Sequence, residues 1–465
     1  MMVWLALGLA LAAFAAVAPL RWAAGVVVVC LPLAGTAVLM AGGNPIILPL
    51  VVAIGFCARH GVSLLQAPLR GQFISIAQGD LLLLLFAAYC VISGAFFPKL
   101  FAGATAVFPQ SYSANPLGLS ADRISYVQIA YLLFAVWLYL ALRQTLLRVG
   151  LEWIVVAIMT QAALFGGFGL IQSMLGLAGV FVPTNWIVNN EGYSLLTAVS
   201  EHSFVRVTSV FVESSSFSIW AVGSLAFCYS LYVNRIFQWL NLALVGLLGV
   251  TLLLSTSSTA YFGLLVVGLF AVAHALFDPD RRRRDRGLVI VALAAILAGA
   301  LAAVVFSAQS GFLYQLRDVI EEMTFRKSTS DSGIERATWS ATSVQNAFDT
   351  YFLGTGYGSA RSSGLFYLLL GVVGIPGLIL LALAFAPRAA RAFRRVRTGE
   401  DAVSSAGGFA LVCTLGCMAA SAADMSLPNM LWVYAALAGA PLAERATARA
   451  MRQFGASEEA AEQVS

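Results

Sequence analysis

Residues 79–97, GDLLLLLFAAYCVISGAFF, decide the fold. Nineteen consecutive positions hold one charge, Asp80, at the start, and no proline. As a helix rising 1.5 Å per residue the stretch reaches across roughly 30 Å of hydrocarbon. Runs of the same kind recur near 3–19, 23–41, 45–58, 124–142, 151–172, 214–233, 238–255, 259–276, 287–307, 363–386, 406–423 and 429–443. Lipid offers no partner to an exposed peptide group, so such runs are expected to be helical. The expectation is an all-α polytopic bundle of about 13 spans, residues 1–465 forming one integral membrane domain. The third run is short and carries Pro45 and Pro49, so 12 crossings plus one re-entrant piece is the alternative. The first run lacks a basic leader segment and continues into a second apolar run, so it is read as a retained span, not a signal peptide.

Composition agrees. Of 465 residues 60% are hydrophobic and only 11% charged, against about 25% charged in a soluble domain. That excludes soluble enzymes and nucleic-acid binders; nucleic acid is not an expected partner. The six cysteines all sit in apolar runs, where they read as small lipid- or core-facing hydrophobes, not a disulfide framework.

Most of the 27 basic residues fall in alternate connections, among them Arg21, Arg59, Arg70, Arg143, Arg148, Arg281 to Arg284, and the group from Arg388 to Arg397. By the positive-inside rule these connections are cytoplasmic, as is the tail 444–465. The opposite connections, 98–123, 173–213 and 308–362, are longer and hold Lys99, Arg123, Arg206, Arg317, Arg326, Lys327, Arg336 and Arg361. Chemistry is therefore expected outside. The cytoplasmic turns are too short for a nucleotide-binding domain, which needs roughly 100 residues.

Within the third outer loop, 333–352 (GIERATWSATSVQNAFDTYF) places Ile334, Ala337, Ala341, Val344, Phe348 and Tyr351 on one stripe, which either lies along the membrane surface, folds over an outward-facing cavity or simply packs. Ser332 with Glu335 reads as its capping box. A second amphipathic piece is expected at 312–325. The turn Gly354-Thr355-Gly356-Tyr357-Gly358-Ser359, followed by Arg361, either offers backbone N–H groups to a phosphate or is a plain tight turn. In the second loop, Glu213 and the serines after it suit the start of a helix, or Arg206 and Glu213 line a cavity mouth. His202 is the outer histidine, solvated or a base; His60 and His274 fall at cytoplasmic ends. Asp278-Pro-Asp280 abuts Arg281 to Arg284 and reads as chance. No HExxH, CxxC or GxSxG occurs, so neither metal nor cofactor is expected.

Three stretches carry a resemblance: RVTSVFVESSSFS (206–218), LLLSTSSTAYFGLL (252–265), and GIERATWSATSVQNAFDTYFLGTGYGSA (333–360) followed by LLLGVVGIPGLILL (368–381). Over its C-terminal two-thirds the chain resembles the O-antigen polymerase and ligase superfamily, multispan glycosyltransferases of bacterial inner membranes with a GT-C-like fold. Ser214 replaces the family's usual proline, Ser257-Ser258-Thr259 stands where ligases carry Ser-Arg, and 308–362 lacks the histidine expected of ligases. The resemblance thus implies a Wzy-type polymerase of repeat units ahead of a ligase. It implies polyprenyl-diphosphate-linked oligosaccharides as donor and acceptor, membrane lipid as surroundings, and a chain-length regulator and a flippase as pathway partners. Arg206 and Arg336 would bind the diphosphate with Glu213 as base; Arg361, Tyr357, Gly356 and His202 would line the substrate. A transporter is the competing class, expected to carry charges at mid-span, whereas Asp80, Glu152 and Asp424 lie at span ends.

Overall fold

The computed structural model describes residues 2–41, 44–66, 77–110, 115–178, 180–190, 200–201, 204–205, 207–255, 257–277, 285–287, 290, 331–394, 396, 398–421 and 429–440. The helices are α1 Met2–Val17, α2 Leu20–Cys30, α3 Leu48–Gln66, α4 Gln78–Leu100, α5 Arg123–Val149, α6 Glu152–Leu177, α7 Ser214–Val233, α8 Gln238–Leu254 and α9 Ser258–Phe277. After a stretch outside the described residues come α10 Asp331–Asp349, α11 Leu365–Ala389, α12 Gly399–Ser421 and α13 Met430–Ala440. Eight of these are long and apolar enough to cross a membrane, and α1, α2, α8 and α13 are shorter apolar helices. The chain is a helical multi-pass membrane protein. The expected span at 287–307, the amphipathic piece at 312–325 and the tail 444–465 lie outside the described residues.

Helix α7 is the hub, packed on α6, α8, α9 and α12. The two least apolar of the eight spans, α7 and α12, are the two most buried. In lipid this order is physical: tails are as apolar as leucine, so the most hydrophobic faces turn outward and small or polar side chains meet inside. Ser218, Ser224 and Ser230 of α7 are fully buried accordingly. All six cysteines are free and buried, the core-facing of the two settings expected.

Two sequence expectations change here. The run 23–41 is not one span. It breaks after Cys30 into a short 3-10 turn and then strand β1 Ala37–Ala41, which pairs antiparallel with β2 Asn44–Ile47. Two apolar runs separated by Gly42-Gly43 are a hairpin signal that an apolar-length search overrides. The third run is not short either. Pro45 sits in β2 and Pro49 in the first turn of α3, where a missing N–H costs nothing, so α3 runs for 19 residues.

A third finding concerns the arginine-rich end. Arg143 and Arg388, counted above as loop charges, are buried, and both pair with Asp80. Asp80 Oδ1 accepts from Arg388 Nη2 (2.8 Å) and from the Tyr139 hydroxyl (2.6 Å). Oδ2 accepts from the Ala77 amide (2.7 Å) and pairs with Arg143. One carboxylate thereby ties together the ends of α4, α5 and α11. An acid leading an apolar run is too costly to stand alone, which was the available signal.

Candidate functional site

At the loop-rich end, α11 is broken. Gly374 has φ 60° and ψ −164°, and Pro376 follows. The break frees polar groups at membrane depth, and the turn after α10 bonds them. Pro376 has no N–H for the Val372 carbonyl, and Gly356 N supplies one at 2.9 Å. Ile375 N donates to Phe352 O (2.9 Å), and the Gly371 carbonyl accepts from Thr355 N (2.9 Å). Tyr89 of α4 donates its hydroxyl to Leu353 O at 3.0 Å. Residues 350–359 are thus stitched into the bundle, reaching about 13 Å below the start of α11.

This geometry settles the glycine-rich turn. The amides of Gly354, Thr355, Gly356 and Ser359 donate to acceptors within the protein, and Tyr357 N lies 3.4 Å from Ser93 Oγ. Gly356 has φ 104°, and a Cβ there would stand 2.7 Å from Ser93 O. Tyr357 is 3% exposed. Gly356 and Tyr357, expected at the substrate, are packing positions in this structure, as the tight-turn alternative describes.

What the turn does is deliver Arg361. Its backbone N–H donates to Phe108 O (2.9 Å), while Gln110 Nε2 donates to Ala360 O (2.8 Å), so the loop 101–110 fixes the residue from the other side. The guanidinium carbon lies 4.2 Å from the centre of the Trp339 ring, and the Phe108 and Trp339 rings are 6.3 Å apart. At that distance the guanidinium and the indole face make a cation–π contact. Arg336 lies one turn before Trp339 on α10, so the two Cβ atoms are about 5–6 Å apart. Arg336, Trp339 and Arg361 are all half-buried. The structure therefore places two of the expected arginines around one tryptophan.

Helix α10 is anchored by its polar side, so plain packing of the stripe is not the arrangement found. Its apolar stripe faces out: Ile334 is 53%, Phe348 58% and Tyr351 82% exposed. The buried positions are Ser343, Asn346, Ala347 and Thr350. The Asn346 amide nitrogen donates to Thr105 Oγ1 (2.9 Å) and Ala106 O (2.8 Å), and Thr105 Oγ1 donates to Asp349 Oδ2 (2.7 Å). These bonds hold α10 against strand β3 Ala106–Val107, paired with β4 Leu117–Gly118. The helix begins at Asp331.

Glu213 lies immediately before α7. Its carboxylate accepts from the Ser216 hydroxyl (3.4 Å) and, more closely, from that of Ser215. A carboxylate at a helix N-terminus is favoured by the backbone dipoles, so the helix-start alternative accounts for these bonds. The segment before it is clamped to α6: Gln172 Oε1 accepts from Thr208 N (3.0 Å) and Ser209 N (2.9 Å). Below, Phe165, Phe211, Phe217 and Trp220 form a cluster with centroids 5.5–5.9 Å apart. Arg206 and His202 lie outside the described residues.

Among the described residues no group of three or more His, Cys, Asp or Glu side chains is placed to hold a metal ion. Trp339 stood in the sequence one turn after Arg336 in the motif 333–360 without a site role, and its neighbour Phe108 comes from a loop some 230 positions away. No protein-family model matches the chain, and neither the curated proteins nor the solved structures hold a match.

Proposed function

We propose that this protein is an extracytoplasmic glycosyltransferase that joins polyprenyl-diphosphate-linked oligosaccharide repeat units into a surface polysaccharide. The observation that carries the reading is the Arg336–Trp339–Arg361 group at the loop-rich end of a multi-pass bundle. In the reaction, an acceptor sugar hydroxyl attacks the anomeric carbon of the donor. The glycosyl C–O bond to the diphosphate breaks, and the electron pair leaves with the polyprenyl diphosphate. Two guanidiniums suit the developing charge, because each pairs bidentately with phosphate oxygens and stays charged beside lipid. Trp339 and Phe108 suit the other half of the substrate, since sugar rings pack their C–H faces on aromatic rings. Glu213 is the candidate to take the hydroxyl proton, releasing its Ser215 and Ser216 bonds as it does so.

The test is a complemented deletion strain. Arg336→Ala and Arg361→Ala are each expected to shorten the polysaccharide length ladder to single repeats while the protein level holds. Unchanged ladders in both variants would overturn the reading. If long polymer accumulates on its lipid carrier in the deletion strain, the protein is a ligase instead.

A second reading, a lipid-linked saccharide transporter, is favoured by the broken α11, since discontinuous helices line transporter binding sites. In this chain the carbonyls freed at Gly371 and Val372 accept bonds from residues 355 and 356, so the break serves the docking of a loop.

A further inference from the structure

The arginine-rich end carries a cleft of ≈ 270 Å³ between the last turns of α3 and α5 and the start of α2. Its polar lining is Arg59, His60, Ser63, Gln66, Gln144, Thr145 and Arg148, and among the described residues no carboxylate lines it. Phe56 and Val62 give it an apolar wall, and Val62 and Leu65 on the same turns of α3 are exposed, so the cleft borders the lipid-facing surface. The volume is below the roughly 300–1,000 Å³ of sites that enclose a whole organic ligand. It is room for a headgroup, not for a saccharide.

Its walls are fixed. The Trp137 indole N–H can only donate, so His60 Nδ1 accepts that bond (3.1 Å) and Nε2–H donates to Gln144 Oε1 (2.9 Å). The imidazole is neutral and both nitrogens are engaged; it is a wall and not a charge. Arg59 donates Nη1 to Ala18 O at the end of α1, and Arg148 donates Nη1 to Ser63 Oγ (3.2 Å). Each guanidinium has five N–H donors, and the bond named occupies one nitrogen of each. Two positive charges thus share one cleft with neutral hydrogen-bonding side chains.

Depth identifies the occupant. Leu20 lines the cleft, and the next two residues belong to an interfacial cluster: the Arg21 guanidinium lies 5.1 Å from the Trp153 ring centre and 6.0 Å from that of Trp22, with the indoles 4.5 Å apart. Paired tryptophans with an arginine mark the headgroup level of a bilayer. A cationic pocket between helices at that level has the chemistry of a phosphate-headgroup site. We propose that this cleft binds a phosphate ester, the headgroup of an anionic phospholipid of the arginine-side leaflet, independently of the activity proposed above.

The test uses the full chain purified in detergent and titrated with dioctanoyl-phosphatidylglycerol, dioctanoyl-phosphatidylcholine and inorganic phosphate, reading retained adducts by native mass spectrometry. Phosphatidylglycerol is expected to bind in preference to phosphatidylcholine, and Arg148→Gln to weaken it about fivefold, the worth of one cation near an anionic surface. Phosphatidylglycerol resisting displacement by inorganic phosphate assigns the lipid as source; displacement assigns a soluble phosphate ester to the same pocket. Equal binding of the two lipids by the unaltered protein overturns the proposal even if every variant misfolds. So does a phosphatidylglycerol preference unchanged in Arg148→Gln.

Discussion

Removing the Asp80 carboxylate tests how the bundle is held at its arginine-rich end. The carboxylate receives two guanidiniums, a phenol and an amide, and Asp80, Arg143, Arg388 and Tyr139 are all buried. Asp80→Ala leaves two buried cations facing one another with no counter-ion. Breaking a buried pair by deleting one partner costs about 3–5 kcal/mol, and here two partners share the loss, so about 5 kcal/mol is expected. With roughly 2.1 cal/mol/K of unfolding entropy per residue, a chain of this length unfolds with about 1 kcal/mol/K, and the melting temperature should fall by about 5 °C. The assay is heating of detergent-solubilised protein followed by size-exclusion chromatography with tryptophan detection. Asp80→Asn keeps the shape and loses the charge, and it should fall by less. The triple variant Asp80→Leu, Arg143→Met, Arg388→Met removes all three charges together and should recover most of the loss. A melting temperature for Asp80→Ala within about 1 °C of the unaltered protein would refute the reasoning.

Three further outcomes follow from the loop-rich end. Gly374→Ala forces a Cβ onto the Phe352 carbonyl in a glycine-only backbone region, costing about 3 kcal/mol or more, and should sharply reduce the folded fraction on chromatography. Trp339→Ala loses the arginine stack, worth about 0.5–2 kcal/mol, and should raise the donor KM several-fold with the melting temperature held, while Trp339→Phe restores part of it. Glu213→Gln should lower kcat by about 10²-fold or more with unchanged stability if the carboxylate is the base; a change within twofold assigns it to starting α7 alone.

Most spans were legible because length and apolarity in lipid favour helix, and the expected runs described by the structure fall on α1 through α9 and α11 through α13, except that 23–41 is divided between α2 and β1. Direction was not legible from apolarity. The stripe Ile334, Phe348 and Tyr351 points away from the protein, while Asn346 and Thr350 pack, because in a membrane protein the apolar face is no marker of the inside. Arg361 was legible as a candidate, but its setting was not. Its neighbours Trp339 and Phe108 arrive from different loops, and the turn that carries it is placed by the break at Gly374 to Pro376. Likewise Arg143 and Arg388 looked like orientation charges by their places in the chain, and only packing joins them to Asp80.

The central claim is that the Arg336–Trp339–Arg361 group serves transfer from a polyprenyl diphosphate. Its most direct measurement is purified protein in liposomes given a lipid-linked repeat unit, with no nucleotide present. Products of two and more repeats are expected from the unaltered protein and are expected to be lost in Arg336→Ala and Arg361→Ala. Movement of intact substrate across the bilayer without chain extension, or normal extension in both variants, would contradict it.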